Sequence, residues 1–311
     1  MESPREPCAT HSRETAGARS AGGKVRSPLP RGVKIDAKRY KRWVDRFGAY
    51  RSGIVNITID GWLQQFSGGD RDLAARVLDA VEFYDQTKIH AAYRQALASL
   101  TGWDKLPSKR VNKWRFAAMS GSAGESGDAM LYQFRLANGL DSKKFNDLFV
   151  SRSDLFRLPL LSESDPNRIS KDDTVVLLDD FSGTGTQVCK AWNDPETSFG
   201  ALLADVGKVY LILVAASGAA RKRISEETTI TPLPVHELHD GDNVFSTHCS
   251  HFNGSDKAKL LRYGRVADSK HPKGFGDCGF VIVFQHRTPN NSIPILHADH
   301  PHWTGLFPRH V

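Results

Sequence analysis

The chain has 311 residues, of which 40% are hydrophobic and 25% charged, and its formal net charge at pH 7 is +7. This composition is that of a globular protein, long enough for one large domain or two modest ones. The longest apolar run, Val209–Ala220, is shorter than the roughly 18 residues of a membrane span. We therefore expect neither a transmembrane helix nor a membrane partner.

The first 34 residues carry much of the positive charge, because seven Lys or Arg and three Glu give them a net charge of +4. Their Ser, Gly, Pro and Ala content is typical of disordered chain. We predict a disordered basic tail over residues 1–35, and we expect nucleic acid to bind, if at all, only there. The tail lacks the apolar core of a signal peptide, and the four cysteines form no CxxC pair. A cytoplasmic protein with reduced thiols is the expectation.

Residues 36–105 are predicted to form a helical N-terminal region. Apolar side chains recur there at helical spacing in three sets. The sets are Ile59, Trp62, Leu63 and Phe66; Leu73, Val77, Val81 and Tyr84; and Ile89, Tyr93, Leu97 and Leu100. Asp70 is placed to cap the second helix. We interpret the aromatic side chains as packed helix faces rather than as a binding groove.

From about residue 106 the pattern changes to short apolar runs separated by glycine-bearing loops and helical segments. The predicted strands are Trp114–Met119, Thr174–Leu178, Val209–Ala215, Pro232–Leu238 and Gly279–Gln285. Unbroken apolar strands that alternate with helices are typical of a parallel sheet covered on both faces. Residues 106–311 are therefore predicted to be an α/β domain with a mainly parallel sheet flanked by helices.

The stretch VVLLDDFSGTGTQV, Val175–Val188, combines two acids with a glycine-rich loop. In α/β sheets ligands bind beyond the carboxyl ends of the strands, where Asp179 and Asp180 are predicted to lie. The loop Ser182–Thr186 leads into a helix whose first amides attract phosphate. Carboxylates repel phosphate but accept hydrogen bonds from sugar hydroxyls. A sugar phosphate with free hydroxyls satisfies both groups.

Three other phosphate motifs do not fit this loop. No Lys follows the glycines, as a Walker loop requires, and Val188 stands where a dinucleotide fingerprint has its third glycine. The acids are adjacent, whereas a haloacid-dehalogenase-type motif needs alternate acids. A turn without a ligand is the structural alternative, and the joint occurrence of glycines, hydroxyls and acids argues against it.

The motif resembles the phosphoribosyl-diphosphate signature of type I phosphoribosyltransferases. By this resemblance Asp179 and Asp180 contact the ribose hydroxyls as the catalytic pair. The residues implied to hold the 5′-phosphate are Ser182, Gly183, Thr184, Gly185 and Thr186. The family usually has Ser or Thr where this chain has Gln187. The segments Ser120–Leu140, Gly274–Leu296 and Trp303–Arg309 further resemble PRTase-CE, a branch associated with biological conflict systems.

Other segments supply candidate ligands for a diphosphate. The resemblance places a pyrophosphate loop at Ser120, Gly121, Ser122, Gly124, Ser126 and Gly127, where a simple turn is the alternative. Arg221, on a basic run after the third predicted strand, and Arg287, after the last, could neutralise a diphosphate. Such residues also occur on solvated helix faces and in turns. The histidine clusters at 248–251 and 297–302 lack zinc-ligand spacing, so we predict no metal held directly by the protein.

The resemblance implies a fold and two alternative functions. In the first, the chain is a glycosyltransferase that binds 5-phosphoribosyl diphosphate or a related nucleotide, with Mg²⁺ on the diphosphate, and reacts at the ribose anomeric carbon. In the second, it is a non-catalytic nucleotide sensor that signals to a partner protein. In both, the resemblance implies antiviral defence and a protein partner encoded alongside.

Overall fold

The structure is a computed structural model that describes residues 35–50, 57–119, 126–196 and 199–309. Within these ranges the α-helices are α1 (Ala37–Phe47), α2 (Ile59–Gln64), α3 (Arg71–Ala80), α4 (Gln86–Ser99), α5 (Ser126–Ala137), α6 (Arg152–Arg157), α7 (Thr186–Asn193), α8 (Phe199–Leu203), α9 (Gly218–Glu227) and α10 (Gly254–Ala267). The strands are β1 (Glu82–Tyr84), β2 (Trp114–Ala118), β3 (Thr174–Ser182), β4 (Lys208–Ser217), β5 (Thr231–Leu238), β6 (Ile282–Phe284), β7 (Asp299–His300) and β8 (Trp303–Thr304). No helix among the described residues combines the length and the apolar character that crossing a bilayer requires.

The central sheet consists of four parallel strands in the order β2-β3-β4-β5. Its two faces are covered by separate hydrophobic clusters, so its strands are apolar on both sides. In β3, Val176 and Leu178 pack into one cluster, and Val175 and Leu177 pack into the other. Helices connect successive strands, which confirms the predicted α/β class with a mainly parallel, helix-flanked sheet.

One predicted helix ends earlier than its apolar spacing indicates. Tyr84 was expected to continue the helix that contains Leu73 and Val77, but α3 ends at Ala80 and the chain becomes extended at Val81. Residues Glu82–Tyr84 form β1 instead, which pairs in parallel with β6. A partner strand two hundred residues away thus overrides the local helical spacing.

The N-terminal helices pack against the C-terminal part of the chain. The indole Nε1 of Trp62 donates to the carbonyl oxygen of Ile295 at 2.8 Å. The ring of Phe47 lies edge-on to that of Phe307, with 5.0 Å between centroids. These buried aromatic residues confirm the interpretation as packed helix faces. The proposed boundary near residue 105 stays a prediction, and the predicted tail lies outside the described residues apart from Ile35.

Asp70 stands at the start of α3, but its side chain does not cap that helix. Its buried carboxylate instead accepts from the hydroxyl of Tyr263 at 2.9 Å and pairs with Lys259 and Arg262 of α10 at 2.8 and 2.7 Å. These donors, the hydrogen bond from Lys259 above all, overcome the cost of burial and lower the pKa of Asp70 to about 2. Asp70 therefore ties the N-terminal helices to α10.

Candidate functional site

Strand β3 runs four residues further than its apolar stretch predicts, through Ser182. In a regular strand, side chains three residues apart point to opposite faces of the sheet. Leu178 and Phe181 are three residues apart but pack into the same hydrophobic cluster, so the alternation of side chains changes at the acidic pair between them. Strand β2 ends at Ala118, and the amide of Asp180 donates to Oδ1 of Asp179 at 2.9 Å. The two carboxylates thus lie beyond the ladder with β2 but inside the ladder with β4, so the strand that the sequence predicts to end at Leu178 ends instead at Ser182.

The loop after β3 is confined by close packing. Gly185 has a φ of 72° and precedes the first residue of α7, and this left-handed conformation favours glycine. A Cβ on Gly183 would overlap the side chain of Asn291. The buried amide of Asn291 is itself held by a hydrogen bond to the carbonyl oxygen of Phe275 at 2.9 Å. Backbone amides at the start of α7 have no intrahelical acceptor, so this end of the helix suits an anion.

Hydroxyl groups and one arginine join the loop to its neighbours. Ser217 Oγ donates to the carbonyl oxygen of Gly183 at 2.7 Å. Oγ1 of Thr186 accepts from Oγ1 of Thr184 at 2.9 Å and from Arg223 at 2.8 Å. These two bonds use both lone pairs of the Thr186 hydroxyl, which keeps its proton for donation to a ligand.

The acidic pair is nearly buried, since Asp179 and Asp180 are 9% and 8% exposed. Nε2 of His286 lies 2.7 Å from Oδ2 of Asp180, and the hydroxyl of Tyr93 donates to the carbonyl oxygen of Asp179 at 3.3 Å. Burial would raise the pKa of Asp180, but the hydrogen bond and charge of His286 overcome it and hold this pKa below its usual range. Burial, together with the two carboxylates, raises the pKa of Tyr93 far above its usual value.

A cavity of about 450 Å³ opens above these groups. The acids and the loop residues 181–188 form one wall, and residues of the C-terminal segment form the other. The lining residues outside the stretch 179–188 are Lys190, Phe275, Arg287, Thr288, Pro289, Asn290, Asn291 and Arg309. The volume is in the range of small-molecule sites. Every predicted ribose-phosphate residue from Asp179 to Thr186 thus lines a single cavity.

Cations face the acids across this cavity. Nε of Arg287 is buried and has no hydrogen-bond partner among the described residues. Burial and the nearby charge of Arg287 lower the pKa of Arg309 to about 10. The positive charges of the two guanidinium groups repel each other, and an anion bound between them would relieve that repulsion. This end of the cavity therefore suits a second anionic group.

Other predicted residues lie elsewhere. Arg221 does not line the cavity. Its Nε pairs instead with Oε2 of Glu237 at 3.0 Å, and its side chain is half exposed. Arg223, two residues along α9, is the member of this basic run that contacts the glycine-rich loop, through Thr186. Ser120, Gly121, Ser122 and Gly124 lie outside the described residues, and Ser126 and Gly127 form the first turn of α5. In the described part of the chain no three His, Cys, Asp or Glu side chains are grouped to hold a metal.

A second cavity, of about 400 Å³, adjoins the first. Phe275, Asn290 and Arg309 line both cavities. Its other lining residues include Asp268, His271 and His297. Burial lowers the pKa of His297 to about 4, so its imidazole is neutral at physiological pH. The paired cavities offer room for a ligand larger than a ribose phosphate.

The parallel sheet, with an acidic pair and a glycine-rich loop at the end of a central strand, has the arrangement expected of a phosphoribosyltransferase-like fold. A comparison with protein-family models matches PRTase-CE over residues 59–309. The chain belongs to the PRTase-CE family, as its motifs predict. A search of curated proteins finds no match.

Proposed function

We propose that the cavity binds a ribose 5-phosphate ligand, either 5-phosphoribosyl diphosphate or a related nucleotide. One observation carries this proposal: the acids, the glycine-rich loop and Arg287 line the same cavity. The loop offers amides and the Thr186 hydroxyl to the 5′-phosphate. The carboxylates of Asp179 and Asp180 accept from the ribose hydroxyls.

The reaction that these groups suit is displacement at the ribose anomeric carbon. The bond from this carbon to the leaving oxygen or nitrogen breaks while a bond to the acceptor forms, and the acceptor loses a proton. Positive charge develops on the ribose during this exchange, and the two carboxylates beneath it stabilise that charge. Arg287 and Arg309 neutralise the departing diphosphate. The acceptor, whether a base, water or a macromolecule, would enter through the adjoining cavity.

We propose Mg²⁺ as the companion of the diphosphate. Mg²⁺ prefers oxygen ligands and keeps several waters, and the carboxylates and hydroxyls of the site can accept hydrogen bonds from such waters. Since no group of three acidic or imidazole ligands occurs among the described residues, the ion would be held by the substrate's phosphate oxygens and by water, without a direct protein ligand. When bound, it would neutralise charge on the leaving group.

A second candidate function is nucleotide sensing without turnover, and one contact favours it. The hydroxyl of Tyr50, beyond α1, donates to the carbonyl oxygen of Pro308 at 2.6 Å and lies 3.3 Å from Oγ1 of Thr288. Thr288 and the neighbour of Pro308, Arg309, both line the ligand cavity. A shift of Arg309 on ligand binding would therefore reach the N-terminal helices and a partner protein bound to them.

For either candidate we propose a role in a defence system, with a protein partner encoded alongside, on the strength of the resemblance to conflict-system proteins. The activity is tested by incubating the full chain with 5-phosphoribosyl diphosphate, Mg²⁺ and a panel of acceptors, followed by mass spectrometry. Diphosphate release with a ribosylated product supports the enzyme. Tight binding with no product across the panel would instead favour the sensor.

A further inference from the structure

The turn that follows β6 brings a histidine to the back of the acidic pair. Phe284 and Arg287 exchange backbone hydrogen bonds, each at 3.1 Å, which places Gln285 and His286 at the tip of a tight hairpin. Consecutive side chains of this turn have different contacts: Arg287 lines the ligand cavity, and His286 bonds to Asp180. Resting on the proposed function, we infer that His286 is a positioning residue that keeps Asp180 ionised and fixed as an acceptor for ligand hydroxyls.

The contact has the geometry of a strong, directed hydrogen bond. The distance of 2.7 Å between Nε2 of His286 and Oδ2 of Asp180 is that of a charge-assisted bond. An ionised carboxylate can only accept, so the imidazole donates. The ring centroids of His286 and Phe284 are 5.7 Å apart, and the ring of Phe284 stacks on that of Tyr84 with 4.7 Å between centroids. These aromatic contacts hold the imidazole in place.

His286 acts through Asp180, since it is not among the described residues that line the ligand cavity. Its side chain is partly exposed, whereas that of Asp180 is nearly buried. One carboxylate oxygen is thereby fixed by the imidazole, which restricts rotation of the side chain. Asp180 then presents its remaining acceptor sites in one orientation, as recognition of a ribose hydroxyl requires.

Charged groups of both signs surround Asp180. Asp179 on the same strand adds a second negative charge, and Tyr93 of α4 brings a neutral hydroxyl. The positive groups are Arg309, which interacts with Asp180 electrostatically, and Arg287 and Lys190 of α7, which line the same cavity. A carboxylate buried to this extent is driven towards its neutral form unless a donor bonds to it directly. His286 makes such a bond to Oδ2 of Asp180, at 2.7 Å.

Two substitutions separate this role from simple packing. His286→Phe keeps a planar ring against Phe284 but removes the donor, and His286→Gln restores an N–H donor without the ring. His236→Phe is the matched control, because its imidazole also lies against an aromatic ring, that of Tyr84 at 5.5 Å. Thermal unfolding shows first that each variant is folded.

Titration of the Asp180 carboxyl by ¹³C NMR in the ligand-free protein, assigned with Asp180→Asn, is the first readout. We expect the midpoint to move upward in His286→Phe and to return towards the wild-type value in His286→Gln. The second readout is affinity for ribose 5-phosphate between pH 5 and pH 8. We expect His286→Phe to bind about tenfold more weakly at pH 7, with the deficit growing as the pH falls. His286→Gln and His236→Phe should bind within about threefold of wild type.

The outcomes distinguish this role from the function on which it rests. An Asp180 midpoint that is unchanged in folded His286→Phe would overturn the role of His286, and so would equal affinity losses in the Phe and Gln variants. Failure of the wild-type protein to bind ribose 5-phosphate would overturn the proposed function instead. Because the NMR titration needs no ligand, the two failures cannot be confused.

Discussion

Gly183→Ala is expected to disturb the glycine-rich loop Ser182–Thr186 through steric overlap with the side chain of Asn291. The new Cβ would lie 2.5 Å from Nδ2 of Asn291 and closer still to its Cγ and Oδ1. An ordinary contact between such atoms is about 3.5–4 Å, so the loop or Asn291 must move by about 1 Å. Asn291 is buried and bonded to the carbonyl oxygen of Phe275, which resists this movement. Overpacking of this kind costs about 1–3 kcal/mol and lowers Tm by about 2–8 °C.

A double-mutant cycle with Asn291→Ala isolates this overlap. Asn291→Ala makes room for the new Cβ. The free energy of unfolding that Asn291→Ala removes should therefore be at least about 1 kcal/mol smaller in the Gly183→Ala protein than in wild type. Thermal unfolding and calorimetric titration with inorganic phosphate are the assays, and phosphate binding should weaken in Gly183→Ala alone. Gly254→Ala is the control, because a Cβ there meets open space. Additive effects, or a Gly183→Ala protein that unfolds and binds like wild type, would refute the steric argument.

Three further predictions follow from single side chains. Arg287→Gln should weaken binding of inorganic diphosphate about tenfold by calorimetry, whereas Arg221→Gln, whose guanidinium pairs with a glutamate outside the cavity, should leave it unchanged; equal losses would contradict this placement. Gln187→Thr should tighten binding of inorganic phosphate about fivefold by adding a hydroxyl at the start of α7, and Gln187→Ala should not; a gain in both would exclude the hydroxyl as the cause. Asp70→Asn should lower Tm at pH 7, and the difference in Tm between this variant and wild type should shrink as the pH falls from about 4 to about 2. In that range wild type loses the stability that its ionised, low-pKa carboxyl contributes. A Tm difference independent of pH would contradict the ionic role of Asp70.

The four-stranded sheet could be predicted from sequence because its signal is local. Strands β2, β3 and β4 are mainly apolar runs, each followed by a loop and a helix, which is the pattern of a parallel sheet. Strand β5 gives a weaker signal, because it contains two prolines, a histidine and a glutamate. Strand β1 could not be predicted in this way. Its three residues continue the apolar spacing of α3, and only pairing with β6, far along the chain, makes them extended. The sequence also predicts too early an end for β3, because two adjacent acids are atypical of a strand interior.

The part of the candidate site that is contiguous in sequence could be predicted. The part that the fold assembles from distant segments could be predicted only incompletely. Asp179 and the loop up to Thr186 follow one another in sequence, so their motif indicates a site. Asn291 lies in the polar segment that follows the last predicted strand, a position that favours the cleft, and it lines the cavity. Arg309 reaches the cavity through the C-terminal fold, and no short-range pattern marks it. Arg221 and Arg223 occupy the same helix, and the choice between them depends on which face of α9 meets the loop.

The central claim is a division of roles, in which the loop binds phosphate and the acids bind the ribose. Its most direct test compares inorganic phosphate with ribose 5-phosphate by calorimetry in wild type and in Asp179→Asn/Asp180→Asn. Wild type should bind ribose 5-phosphate more tightly than phosphate. The double variant should lose about tenfold or more of that ribose-dependent affinity while binding phosphate at least as well as before, since two negative charges are gone. Equal losses for both ligands, or no loss for ribose 5-phosphate, would contradict the account.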